Sequence, residues 1–102
     1  MPNIFQKLPD NIAVEHFETI TTGQNVRIER IVSNENTTKE GEWYDQSQRE
    51  WVIFVEGSGS IEFEEGRSVT LNKGDHLLIK KQECRRVTCT DPNTIWLAVH
   101  YD

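Results

Sequence analysis

The stretch WVIFVEGSGSIEFEEGRSVTLNKGDHLLIK, residues 51–80, decides the fold. Its runs WVIFVE (51–56), SIEFEE (60–65), SVTLN (68–72) and HLLIK (76–80) are separated by Gly57, Gly59, Gly66 and Gly74. Short runs rich in β-branched and aromatic residues, cut at regular intervals by glycine, predict strands joined by tight turns. Ile61 and Phe63 alternate with Glu62 and Glu64, the pattern of a half-exposed strand. Residues 51–55 are apolar on both faces. That suits a strand covered inside by a core and outside by another sheet or subunit. Glu50 stands at the head of this most apolar run.

The pattern extends in both directions. Downstream, CRRVTCT (84–90) predicts another strand, Asp91–Pro92–Asn93 a turn, and TIWLAVHYD (94–102) a long final strand. In that last run Ile95, Leu97 and Val99 share one side, and Trp96, Ala98 and His100 the other. Upstream, NVRIERIVS (25–33) sets Val26, Ile28, Arg30 and Val32 against Arg27, Glu29 and Ile31. The more apolar first set is the expected core face. Arg30 is its exception, and calls either for an acidic partner or for a place near a barrel mouth. Residues 12–20 are expected to form a first strand. Residues 34–42 read as a polar loop, Trp43 and Tyr44 begin a new element, and Asp45–Arg49 is a polar connection. Roughly eight strands in succession, with no helical period beyond the N-terminal segment, predict an all-β structure built as a small barrel. Residues 1–11 are expected to be an arm and residues 12–102 the single domain.

Size and charge narrow the function. A chain of 102 residues, 35% apolar and 27% charged, supports one modest core. A formal charge of −6, from 17 acidic and 11 basic side chains, disfavours nucleic acid and anionic membrane as partners. No apolar run approaches the ~20 residues of a membrane span. The start MPNIFQKLPDN is not a signal peptide by pattern, so the cytoplasm is the expected compartment. Cys84 and Cys89 stand five apart, beyond disulfide reach on one straight strand, and are expected to be buried thiols.

The line from Gly41 to Asp102 resembles the small single-domain cupins. The pieces that carry the resemblance are WYDQ (43–46) with Glu50 and Trp51, the strand and turn up to Gly57, the LxxGDxLLI pattern at 71–79, and the closing TIWLAVHY. NIF (3–5) and RIERIVS (27–33) look like the same subgroup. The resemblance implies a double-stranded β-helix, a jelly-roll barrel. It also implies, in many members, one divalent metal such as Fe, Mn, Ni or Zn on three histidines and a glutamate. Here Glu50 and Gly57 match the glutamate and glycine of the first motif. Its His-x-His positions fall on Trp43 and Asp45, or on Tyr44 and Gln46. In the second motif Lys80 stands for proline, Gln82 for glycine, Arg85 for the metal histidine and Cys89 for a trailing asparagine. The metal-binding histidines are thus replaced, and of the four ligand positions Glu50 alone is kept.

Arginine stays protonated and has no lone pair to give a metal. If Arg85 and Glu50 both face inward, an ion pair is their most economical arrangement, with anion binding by Arg85 as the alternative. Strand alternation from Arg85 would carry Cys89 inward as well. The expected ligand pocket therefore comprises Glu50, Arg85, Trp43, Asp45 and Cys89. Glu50 is a weak catalytic candidate, because an adjacent arginine opposes the raised pKa that a general base needs. Glu50, Asp45 and Cys89 form a weak alternative metal set. His16, His76 and His100 have no ligand spacing, although His16 and His100 would meet if the first and last strands paired.

Three functions are expected in order. The first is a non-catalytic module, without metal or other cofactor, that binds a small organic or anionic ligand. The second is a divalent-metal cupin enzyme, an oxygenase or isomerase, with displaced ligands. The third is a purely structural dimer. A homodimer through an apolar strand face is expected from the runs that are apolar on both sides.

Overall fold

In a computed structural model, which describes residues 1–9, 14–39 and 41–102, eight strands follow one another with no helix among the described residues. They are β1 (His16–Gly23), β2 (Val26–Ser33), β3 (Arg49–Glu56), β4 (Gly59–Phe63), β5 (Ser68–Leu71), β6 (His76–Ile79), β7 (Arg85–Thr90) and β8 (Thr94–Tyr101). No described helix is long and apolar enough to cross a membrane. All pairings are antiparallel. Five strands form one sheet in the order β1-β2-β8-β3-β6, and three form a second in the order β5-β4-β7. This is the all-β fold that the glycine-cut runs predict, arranged as the jelly roll that the resemblance implies. The expected beginning of the first strand, and the boundary between residues 11 and 12, fall at residues outside those described.

The sheets face one another across a core of Ile31, Val52, Phe54, Ile61, Phe63, Leu71, Ile79, Trp96 and Ala98. Phe54 and Trp96, from adjacent strands, stack with ring centroids 4.8 Å apart. The turn after β3 depends on Gly57. Its φ is +79°, and a Cβ there would come within 2.9 Å of the Thr94 Cα, so both conformation and space require glycine.

The expected core face of β2 is reversed. Arg27, Glu29 and Ile31 point into the barrel, whereas Val26, Ile28, Arg30 and Val32 lie on the outer face. The more apolar set is outward because the N-terminal segment covers part of that face. Arg30, 3% exposed, donates to the carbonyls of Ile4, Gln6 and Lys7 and pairs with Glu18 at 2.7 Å. Its acidic partner exists, but it does not sit at the barrel mouth.

A second parity change occurs in β7. Ser60 pairs with Cys89 and Ile61 with Val87, so the ladder skips Thr88 at a bulge. One extra residue flips the alternation. Arg85 and Val87 face inward, while Cys89 is exposed outside and Cys84 is half-buried. The expectation of a buried thiol fails at Cys89 for this reason, and Cys84, just before β7, is only half-buried. His16 and His100 do not meet either, because β2 lies between β1 and β8.

Candidate functional site

Between the sheets one end of the barrel is open, leaving a cavity of about 900 Å³. Its buried wall carries Glu29 from β2, Glu50 from β3, Arg85 from β7 and His100 from β8. The register explains the convergence. Glu50 pairs directly with His100 across β3 and β8, and Arg27 pairs with His100 across β2 and β8. Arg85 reaches them from the opposite sheet. It is fixed there by reciprocal backbone bonds with Tyr44, 2.8 and 2.9 Å, along the outer edge of β7. The loop before β3 continues that edge, since Thr38 and Val87 are joined by a 2.8 Å backbone bond and Thr38 Oγ1 accepts from the Val87 N–H. Loop and edge together make one side of the mouth.

The guanidinium of Arg85 donates to the carboxylate of Glu50, and both side chains are buried. Gln46 Nε2 donates to the same Glu50 oxygen at 2.7 Å. His100 is held by Glu29, with Nε2 and Oε1 2.8 Å apart. This bond holds the Glu29 pKa below the usual carboxylate value. Burial opposes it, and the nearby charges of His100 and Arg27 reinforce it. His100 Nδ1 has no hydrogen-bond partner among the described residues and lies 4.0 Å from Glu50 Oε1. Farther along the wall, Trp96 Nε1 donates to Ser33 Oγ at 3.0 Å, and Ser33 donates to Glu15 at 2.7 Å. Burial pushes the Glu15 pKa up against that hydrogen bond, and the Glu50 charge adds to the rise.

Of the five pocket residues expected from sequence, Glu50, Arg85 and Asp45 line the cavity. Trp43 does not. It stands 37% exposed outside the cavity lining, with the Arg86 guanidinium 5.0 Å above its ring. Cys89 is carried away by the β7 bulge. The alternative metal set of Glu50, Asp45 and Cys89 therefore cannot assemble. The residues present do not fit a divalent ion in other ways either. No group of three His, Cys, Asp or Glu with suitable geometry occurs among the described residues, and Glu50 is already committed to Arg85 and Gln46. The thiol of Cys84 is raised by partial desolvation and then by Glu64, which suits an inert sulfur.

Sequence reading missed Arg27 and Glu29 and gave His100 no part in the site, and it reached Gln46 only as one of the His-x-His positions. A signal for His100 was present, because it shares a face with Trp96 and Ala98. For Arg27 and Glu29 the signal was masked by the greater hydrophobicity of the opposite face of β2.

The architecture has close counterparts. A protein of Ralstonia eutropha, described as a candidate mannose-6-phosphate isomerase, is 37% identical, with a TM-score of 0.94 over 100% of this chain and 97% of its own. A cupin superfamily protein of Desulfitobacterium hafniense superposes with a TM-score of 0.77 at 9% identity, covering 92% of this chain and 83% of the other. The chain has the small single-domain cupin fold. A Neisseria meningitidis protein shares the same cupin-like fold, with a TM-score of 0.77 at 16% identity over 100% of this chain and 99% of its own. No family model matches the sequence, and no curated protein is significantly similar to it. Within this cupin the Arg85–Glu50 pair stands where the resemblance places a metal ligand beside its carboxylate.

Proposed function

We propose that this cupin is a non-catalytic binding module that takes a small organic molecule into the open end of its barrel without a metal. One observation carries the reading: a cavity of about 900 Å³ remains open beside a buried, self-neutralised Arg85–Glu50 pair. Pockets for small molecules span about 300–1,000 Å³ and combine apolar walls with a few convergent polar groups. Ile31, Ile61, Ile79, Val87 and Trp96 supply the apolar wall here. A filled, purely structural barrel is disfavoured because Trp43 lies outside the cavity lining. General-base chemistry is disfavoured because Glu50 already accepts from two donors.

The description of the Ralstonia protein suggests a second reading, isomerisation of a phosphorylated sugar. The cavity offers little for a phosphate, since each arginine along it already faces a carboxylate: Arg27 with Glu29, Arg85 with Glu50 and Arg86 with Glu62. Protein purified without chelator is expected to carry far less than one equivalent of metal by elemental analysis, and to show no turnover of mannose 6-phosphate. Stoichiometric metal or measurable isomerisation would overturn the reading. A native mass spectrum is expected to show a noncovalent organic adduct.

The outer face of the five-stranded sheet supports a homodimer. Trp51, Ile53, Leu97 and Val99 share it with Leu78, which is 44% exposed. A second copy would bury this face symmetrically. Sedimentation is expected to give twice the chain mass, and Leu78→Glu to give the monomer.

A further inference from the structure

We propose that the occupant of the barrel is an organic cation, a molecule that brings a protonated amine to the His100 ring between the Glu29 and Glu50 carboxylates and lays an apolar tail along the inner wall. The inference rests on the small-molecule reading above and assigns its ligand a charge. Three observations converge on it. The first is that each guanidinium along the cavity faces a carboxylate. Arg27 lies 3.6 Å from Glu29, Arg86 lies 2.9 Å from Glu62, and Arg85 is bound to Glu50. At Arg85 an anionic ligand would have to part a buried ion pair and leave the Glu50 carboxylate uncompensated.

The second is the charge of the lining. Five carboxylates face the cavity, from Glu15, Glu29, Glu35, Asp45 and Glu50, against the three guanidiniums of Arg27, Arg85 and Arg86. The excess is two negative charges, and one remains even with Glu15 protonated. Low-dielectric walls focus such a field on the mouth.

The third observation is local. His100 is 2% exposed, and its Nδ1 has no partner among the described residues. A Glu29 carboxylate can only accept, so the ring gives it the Nε2 proton. Whenever the ring is uncharged, Nδ1 presents a lone pair, 4.0 Å from the Glu50 oxygen. The Glu50 oxygen accepts from Arg85 and Gln46, but no donor among the described residues reaches Nδ1. An ammonium carries three N–H donors and gives one to Nδ1, with the Glu50 carboxylate close beside it. Ile31, Ile61, Ile79 and Val87 accept the tail, with the Trp96 ring beside them.

Three probes of equal length test the assignment: n-hexylammonium, hexan-1-ol and hexanoate, titrated at pH 7 against the intact protein and followed by backbone amide shifts. Hexylammonium is expected to bind about tenfold or more tighter than hexanoate, with the alcohol between. The shifts should map to β2, β3 and β8 around Glu29, Glu50 and His100. The variant Glu35→Gln with Asp45→Asn changes two exposed mouth residues. It should narrow that ratio at unchanged Tm. Preference for hexanoate, or equal binding of all three, overturns the cation assignment and leaves the pocket reading standing. Shifts confined to the outer surface also overturn it. Failure of all three to perturb the cavity, in protein whose native mass spectrum shows no organic adduct, removes both.

Discussion

The inside of this barrel has two halves built from the same strands. On β3, Val52 and Phe54 are sealed in the core, while Glu50 one alternation earlier faces the cavity. On β8, Ala98 sits in the core and His100 faces the cavity. One half is close-packed by Phe54, Phe63, Leu71, Val52 and Ala98. The other contains charges that satisfy one another around a space. The strand geometry is continuous between them, so the difference comes from side chains alone. The packed half holds the sheets together by apolar burial, at about 25 cal/mol per Å² removed from water. In the open half, burying Glu50 and Arg85 gains little net stability. A buried pair can cost as much to desolvate as its attraction returns. What the open half retains instead is an arrangement of donors and acceptors.

Mutations should separate the halves. The largest loss is expected from removing one member of the buried pair. Glu50→Ala leaves the Arg85 guanidinium uncompensated and should cost about 3–5 kcal/mol in denaturant unfolding. Phe54→Ala in the packed half should cost about as much, roughly 3–5 kcal/mol, through lost contacts and a cavity beside Trp96. The comparison sharpens with the double replacement Glu50→Met, Arg85→Leu. It should recover most of the single-variant loss, because apolar groups of similar volume often replace a buried pair at no net cost. If the double variant stayed as unstable as Glu50→Ala, the pair would be a structural element like Phe54 and the contrast would collapse.

A smaller effect is expected at the turn between the sheets. Gly57→Ala meets the Thr94 backbone and is strained at φ +79°, so a loss of about 1–3 kcal/mol should appear as a lowered Tm. The smallest effect concerns acid. The pKa of Glu29 is lowered in the fold, so its contribution is present above the ordinary carboxylate value of 4.5 and is lost as pH falls through the lower folded value. Glu29→Gln should flatten that part of the Tm-against-pH curve. Glu15 works in the opposite sense. Its raised pKa favours the fold at low pH, and that advantage disappears as pH rises through the folded value.

Residues 51–80 and 94–102 were legible because alternation and glycine spacing are local properties of the chain. They led to five of the eight strands, whereas the Glu50–Arg85 pair was expected only from the resemblance and only if both faced inward. The inward side of β2 was not legible. Alternation there was clear, but which phase faces the barrel depends on what covers the other side. That cover is a segment more than twenty residues earlier, whose carbonyls satisfy Arg30.

Cys89 was misplaced for a related reason. A single skipped residue opposite Ser60 reverses every side chain beyond it, and nothing in CRRVTCT marks the skip. By itself, then, the sequence determined the strands, the turns and the replacement of the metal-binding histidines. Tertiary structure alone decided which faces turn inward, and with them the placing of Glu29 and His100 against Glu50. The physical reason is that a strand fixes the alternation of its side chains, whereas its neighbours and bulges fix the phase.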